Sequence, residues 1–375
     1  MKIVESELIA FMEEGKTNKQ MAEHFGCSVR AVQSFKNRLA RRGLSPENDM
    51  ENLQHPLFMV KGQSTYYNKD GKPTQRWVKT KLDNAQWEQL IADFIEGISS
   101  AIPRVEPVPR PAMSLPTDRM NLYPFTDFHL GMLAWGEESG DDWDIQIAED
   151  LAVKWIDAAI AMAPAADVAV LANMGDFLHW DGMEAVTPTS RHVLDADSRF
   201  QKLVRVALRI IRTLIDRLLA SHNKVHVIMA EGNHDESSSV WLREGLSLVY
   251  ENEPRVTWDK SADPYYAYTF GKTMLMFHHG HKANMKRVES AMLGKFIRDI
   301  GQADYRYCHV GHLHHAKLEE TTTMLIEQHR TLAAKDAYAS RGGWVSKRSA
   351  SVITYHADYG EIARQTISPE MLGHE

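Results

Sequence analysis

Cysteine is nearly absent: the 375 residues include two, Cys27 and Cys308, far apart and without a Cys-x-x-Cys spacing. That excludes a disulfide framework and a thiolate zinc site, and both side chains are expected to pack as small apolar groups. No uninterrupted apolar run reaches about 18 residues, the length that marks a membrane helix. The opening MKIVESELIAFMEEG carries acidic residues inside what would be a signal-peptide core, so neither a membrane span nor secretion is expected, and the chain reads as cytosolic. Positive charge is not in excess either. The net charge of −7 argues against nucleic-acid binding by overall attraction, although distribution matters more than the sum. A composition of 43% apolar and 25% charged residues is that of a folded chain longer than one ordinary domain, and two or three domains are expected.

What is present is order. Five strand-like hydrophobic runs, Leu122 to Phe125, Val168 to Met174, Val225 to Ala230, Met274 to Phe277 and Tyr305 to Val310, each close on a polar segment. The segments read FTDFHLG, NMGDFLHWDG, AEGNHDE, FHHGHK and HVGHLHH. In open α/β sheets, ligands bind outside the carboxyl ends of strands. Asp127 and His129, Asp176, Asn233 and His234, His279, then His312 and His314 therefore read as one two-metal site. With 18 histidines in the chain any one of these positions means little, and the ordered set carries the reading. Gly175, Gly232, Gly280 and Gly311 stand where a strand must turn tightly beside an ion.

This signature resembles that of the calcineurin-like metallophosphoesterase superfamily: Asp-x-His, Gly-Asp, Gly-Asn-His-Asp/Glu, His, Gly-His-x-His, over roughly residues 121 to 316. Within the superfamily the chain is most similar to the double-strand-break repair exonucleases. Its first motif continues as His129-Leu130-Gly131, and its second reads Gly-Asp-Phe-Leu-His in place of Gly-Asp-x-x-Asp. The resemblance implies an α/β fold, a metallophosphoesterase β-sandwich flanked by helices. It implies Asp176 as a carboxylate shared by two divalent ions, with Asp127, His129 and His314 completing one site and Asn233, His279 and His312 the other. Two cations about 3.5–4 Å apart bind a phosphate and acidify a bridging water, which then attacks phosphorus. Oxygen and imidazole donors without thiolate suit Mn2+, with Fe or Zn2+ as alternatives.

His234 directly follows the ligand Asn233 and is expected to be the general acid. Many family members orient this histidine with an Asp three residues after the shared one. Here that position is His179, so either His179 or Asp235 is left as its partner. In the fourth motif His278, His279 and His281 crowd around Gly280. His279 is the ligand by resemblance, His281 is left to contact phosphate, and His315 falls outside the ligand set.

The amino-terminal end has its own pattern. Residues 1–44 carry eight Lys/Arg against five acids, with the basic residues concentrated after residue 29. Leu8, Phe11 and Met12, then Met21, Ala22 and Phe25, then Val29, Val32 and Leu39 predict three helices, with Thr17 and Ser28 as caps and Gly26 in the tight turn of a helix-turn-helix. The segment resembles modules of transposases and phage proteins. Arg30, Gln33, Lys36, Asn37 and Arg41 on the third helix can reach phosphates or base edges. The plainer alternative is a packing unit with a solvated basic face.

FMVKGQSTYYN and TQRWVKTKL around Asp70-Gly71 predict a hairpin, which either stacks bases on Tyr66, Tyr67 and Trp77 or packs as a flap. A helix is expected from Asn84 to about Ser99. Pro103, Pro107, Pro109, Pro111 and Pro116 then mark a linker. The chain divides into a helix-turn-helix module (1–50), a hairpin and helix connector (51–102), a proline-rich linker (103–118) and a phosphoesterase domain (119–375). In the last, Asp197 to Ser221 predicts a long core helix with Leu203, Val206, Ile210, Leu214 and Leu218 on one face. Trp180, Arg191 and His192, in the loop after Asp176, either touch substrate or belong to a plain connector. Arg341, Lys347 and Arg348, in a basic loop among carboxyl-terminal strands, line the cleft or face water.

The combination points to a phosphodiesterase acting on DNA, a nuclease of repair type with a phage or mobile-element character. Two alternatives stand beside it: a phosphatase or cyclic-nucleotide or small-molecule phosphoesterase targeted by the amino-terminal module, and a DNA-binding regulator with a vestigial metal site. DNA is the expected partner and no membrane is. A homodimer is left open, as is an ATPase partner, for which no docking segment is evident.

Overall fold

The computed structural model describes residues 3–41, 58–68, 73–82, 105–112, 114–188, 192–336, 340, 342–343 and 346–374. The expected helix from Asn84 to Ser99 and the hairpin turn at residues 69–72 lie outside them. The chain forms two compact units, Met1–Glu96 and Gly97–Glu375.

The first unit opens with three helices, α1 (Glu5–Glu13), α2 (Asn18–His24) and α3 (Val29–Arg41). Thr17 starts α2 through a capping box, its hydroxyl accepting from Gln20 N while Gln20 Oε1 accepts from Thr17 N at 2.9 Å. Ser28 Oγ accepts from Ala31 N at 3.2 Å at the start of α3, and Gly26 makes the intervening turn at φ +57°. Leu8, Met21, Ala22, Phe25 and Val32 close a small core, with Phe35 and Cys27 packed against it. Val29, expected inside, is 44% exposed, because it heads its helix before the packed face begins. The hairpin pairs β1 (Phe58–Tyr67) with β2 (Pro73–Leu82) antiparallel, with a bulge between Val60 and Gly62.

The second unit runs β3 (Arg119–Phe125), α4 (Gly136–Ser139), α5 (Ile145–Met162), β4 (Val168–Asn173), α6 (Phe200–Ser221), β5 (Lys224–Met229), α7 (Glu236–Val249), β6 (Val256–Trp258), β7 (Tyr266–Phe270), β8 (Thr273–His278), α8 (Met285–Lys295), α9 (Ile297–Ile300), β9 (Tyr305–Val310), β10 (Lys317–Glu320), β11 (Leu325–Gln328), β12 (Ala350–His356) and β13 (Gly360–Ile367). One sheet has the order β13-β12-β3-β4-β5-β6 and the other β10-β11-β9-β8-β7. Met120, Leu122, Val170 and Ile228 of the first meet Tyr266, Leu275 and Phe277 of the second in one core. The outer face of the second sheet packs Met274, Met276 and Cys308 against Val288 and Met292 of α8. The result is a mixed α/β sandwich of two sheets flanked by helices, and β4 is buried at every position because both its faces are covered.

α6 begins at Phe200, not Asp197, whose carboxylate instead accepts from Ile145 N at 3.0 Å at the start of α5. The described part of the proline-rich stretch is hydrogen-bonded onto this unit: Val105 N donates to Val249 O (2.8 Å), Val108 N to Glu253 Oε2 (2.7 Å) and Arg255 Nη2 to Val108 O (2.8 Å). Among the described residues no helix is long and apolar enough to cross a membrane.

Register positions the site. β3, β4 and β5 are parallel, and Phe125, Asn173 and Met229 lie opposite one another at their carboxyl ends. In the second sheet parallel β8 and β9 end together, with His278 opposite Val310. All five polar segments thus leave at the same edge of the sandwich.

Candidate metal centre

Asp127, His129, Asp176, His312 and His314 have φ between +46° and +74°, and among the described residues they are the only non-glycine positions in the left-handed region. That conformation costs an ordinary residue about 1 kcal/mol or more, so it persists only where surrounding contacts impose it. Here they are visible. Asp127 N donates to Gly175 O and His129 N to Asp176 O, both at 3.0 Å, which welds the loop after β3 to the loop after β4. His312 N donates to Asp127 Oδ2 at 2.8 Å, and Thr126 Oγ1 to the same oxygen at 2.6 Å. Every one of the five is a carboxylate or imidazole of the expected ligand set.

Two groups of donors take side chains from both sheets, Asp127 with His129 and His314, and Asp176 with His279 and His312, and a third, His129 with His179 and His234, is drawn from the loops of one sheet. His314 Nε2 lies 3.2 Å from Asp127 Oδ1 and 3.3 Å from His129 Nε2. His279 Nε2 lies 3.0 Å from Asp176 Oδ2, 3.2 Å from Asn233 Oδ1 and 4.0 Å from Asp127 Oδ1. Donor atoms held about 2.1 Å from a common ion are themselves roughly 3.0 to 3.4 Å apart. The spacing, the donor chemistry and two almost fully buried carboxylates fit a pair of divalent cations.

The imidazoles are oriented for this. His279 Nδ1–H donates to Met174 O at 2.9 Å, which leaves Nε2 for the ligand cluster. Despite burial, which opposes it, the Asp176 and Asp127 carboxylates raise the His279 ring to about 9. Asp127 is held below the usual carboxylate range, burial opposing and His314 and His279 prevailing. In the first group His129 Nδ1 meets His179 Nδ1 at 3.2 Å, so one ring donates to the other. Burial holds the His179 ring down at about 3, with the His234 ring adding to the effect.

The structure places the remaining expected residues as follows. His234 Nδ1–H donates at 2.8 Å to the main-chain oxygen of His179, and the His234 ring stands 4.7 Å from that of His129. Asp235 accepts instead from three backbone amides, Asp176 N (3.1 Å), Leu178 N (3.1 Å) and Gly232 N (3.0 Å), and so pins the loops after β4 and β5 together. Asp181 does similar work unannounced by any motif, accepting from Ser237 N and Ser238 N at 2.6 Å at the start of α7. His281 is not among the grouped donors, although its ring is 5.2 Å from that of His279.

Two of the glycines are required by space alone. A Cβ on Gly232 would overlap Asp176 Oδ1 and N, and one on Gly311 would overlap Thr126 Oγ1.

Trp180 is not a substrate contact: it is 1% exposed and packs beside Gly131 and Leu203. Arg348 is also structural, its Nε donating to Leu332 O at 2.9 Å and its guanidinium paired with Asp141 at 3.2 Å. Arg191 and Arg341 lie outside the described residues, and Lys347 and His192 are exposed. On α3, Arg30 and Gln33 are exposed and Lys36 Nζ donates to Asn18 Oδ1 at 3.3 Å, while the Asn37 and Arg41 side chains lie outside the description.

A further group, His309, Glu327 and His329, went unread in the sequence. It is already closed by a cation: the Arg364 guanidinium bonds both Glu327 oxygens, and His309 Nδ1 and His329 Nε2 hydrogen-bond each other at 2.9 Å.

No family model and no curated protein matches the chain. Among solved structures it is similar to a conserved uncharacterized protein, a predicted phosphoesterase, from Streptococcus pneumoniae TIGR4 (12% identity, TM-score 0.29, covering 68% of this chain and 99% of that one). It is similar to Vps29 complexed with Zn2+ from Entamoeba histolytica (12% identity, TM-score 0.30, 66% and 98%). It is also similar to a novel archaeal phosphodiesterase (12% identity, TM-score 0.33, 66% and 99%).

Proposed function

We propose that the chain is a divalent-metal-dependent phosphodiesterase whose substrate is DNA, a nuclease brought to its substrate by the amino-terminal helices. The observation that carries this reading is the left-handed backbone at five ligand positions: the chain spends conformational energy to aim carboxylates and imidazoles at one point. A decayed site would not keep that geometry, which counts against a regulator with a vestigial centre.

Asp127, His129 and His314 would hold one ion and Asn233, His279 and His312 a second, with Asp176 shared. When bound, the pair supplies Lewis acidity toward phosphate oxygens and an acidified water as nucleophile, with Mn2+ the metal best suited to these donors. His179 holds the His129 ring through the Nδ1 contact, and Met174 O holds His279. His234 anchors Nδ1–H on the main-chain oxygen of His179, which leaves Nε2 to deliver a proton to the departing oxygen as the phosphorus–oxygen bond breaks. On α3, Arg30 and Gln33 supply exposed groups for phosphate or base-edge contact.

The test is hydrolysis of bis-p-nitrophenyl phosphate against p-nitrophenyl phosphate with Mn2+, beside labelled single- and double-stranded DNA. Diester and DNA cleavage that disappears in Asp176→Asn is the expected result. Monoester cleavage with intact DNA would move the chain to the phosphatase branch.

A further inference from the structure

A cavity of about 640 Å³ adjoins the centre, between the turn that follows β8, the first turn of α8 and the segment that leads into β10. His312 forms part of its wall, so the cavity and the donor cluster share a side chain. The lining is of two kinds. Met285 and Leu313 are apolar, and Leu313, between two ligand histidines, is 56% exposed. Lys282, Lys286 and Lys317 face a single carboxylate in the lining, Glu319. Lys282 is occupied elsewhere, donating to Glu231 Oε1 at 2.9 Å, and Lys317 donates to Glu319 Oε2 at 2.9 Å.

His281 marks the cavity as more than a surface dent. Its side chain is only 9% exposed, yet neither ring nitrogen has a hydrogen-bond partner, the nearest carboxylate, Glu236, standing 3.9 Å away. A buried imidazole without partners forfeits the hydrogen bonds it would make in water. The ring is held by neighbouring rings instead, stacked on His278 at 6.1 Å, tilted against His279 at 5.2 Å and edge-on to His312 at 6.2 Å, centroid to centroid. A ligand that offers oxygen atoms at this depth would satisfy it.

We propose that this cavity is a subsite for one nucleotide next to the scissile phosphate. The base lies against Leu313 and Met285, the nucleotide's own phosphate is met by Lys286 and Lys317, and His281 hydrogen-bonds an oxygen of the sugar or phosphate. The combination of cation, buried hydrogen-bonding group and apolar surface matches the three parts of a nucleotide. A small aryl diester offers no such chain beyond the reacting phosphate. This subsite rests on the nuclease reading above.

The test compares kcat/KM for a thymidine octanucleotide with kcat/KM for bis-p-nitrophenyl phosphate, both with Mn2+, in the full chain. In His281→Gln and, separately, in Lys286→Glu the oligonucleotide-to-aryl ratio is expected to fall about tenfold. Lys286 is exposed, so its variant stays informative even if substitution at His281 disturbs folding. A ratio unchanged in Lys286→Glu, with the wild type active on both substrates, overturns the subsite alone. A wild type inert on both substrates overturns the nuclease reading, and the subsite with it.

Discussion

Gly232 has no room for a methyl group, because the space a Cβ would fill holds the amide and carboxylate of Asp176. Gly232→Ala is expected to displace that carboxylate, to lower stability by about 2 kcal/mol as overpacking does, and to remove the response of thermal unfolding to Mn2+; an unaltered response would show that the loop yields freely. His179 acts one step further out. Its ring bonds His129, and losing such an outer partner weakens metal affinity roughly 10- to 100-fold. His179→Ala is accordingly expected to shift a calorimetric Mn2+ titration by that factor while leaving the fold intact by circular dichroism. That the expected ligand residues would converge was legible because motif order and strand ends coincide. The partner of His234 was not, since a main-chain oxygen has no signature in residue identity. Nor was Trp180, whose loop looks polar and irregular: its burial depends on Gly131 and Leu203, distant in sequence.

The strands that deliver the site were readable as apolar runs because both faces of the parallel core are covered, as the uninterrupted burial of β4 shows. The short strands β6, β7, β10 and β11 lacked such a run, being partly exposed or only a few residues long, and they escaped individual notice. One of them carries a pH-dependent tie between the sheets. Arg364 on β13 reaches Glu327 on β11, and Glu361 also bonds Arg364. Burial raises the Glu327 carboxyl, but His329 and then Arg364 lower it further, leaving it at about 2. Burial also keeps His329 largely neutral, so Arg364 is the charged partner near pH 7. A folded value below the unfolded one of about 4.3 means the stabilisation is complete above that pH and is lost as pH falls toward 2. In urea unfolding with EDTA present, Glu327→Gln is expected to be less stable than wild type by on the order of 2 kcal/mol at pH 6. The gap should close as pH drops toward 3; a constant gap would assign the loss to packing.

At the scale of the whole molecule, the proposed function assigns recruitment to one compact unit and chemistry to the other. Deleting residues 1–96 is expected to leave aryl-diester hydrolysis within a few-fold of the full chain and to weaken DNA binding, with a shallower dependence on salt because fewer phosphates are contacted. Equal affinity and equal salt slope in both forms would remove the amino-terminal helices from the DNA interface. Metal binding reaches the whole second unit, because an ion that binds only the native state adds stability in proportion to the logarithm of its concentration over Kd, about 2.7 kcal/mol at a hundredfold excess. Chelation should therefore lower Tm by several degrees, and Asp176→Asn should abolish that difference.

The two donor groups, each drawn from both sheets, have a mechanical consequence. An ion in either one is a crosslink between sequence-distant loops, from Asp127 to His314 or from Asp176 to His312, closing most of the second unit into a ring at the open edge of the sandwich. Both cysteines of this chain are free, so no disulfide performs that task. A metal staple differs from a covalent one in being reversible. The tightness of this edge would follow the supply of metal ions, and starvation for metal would loosen the sandwich along the seam proposed here to admit the substrate.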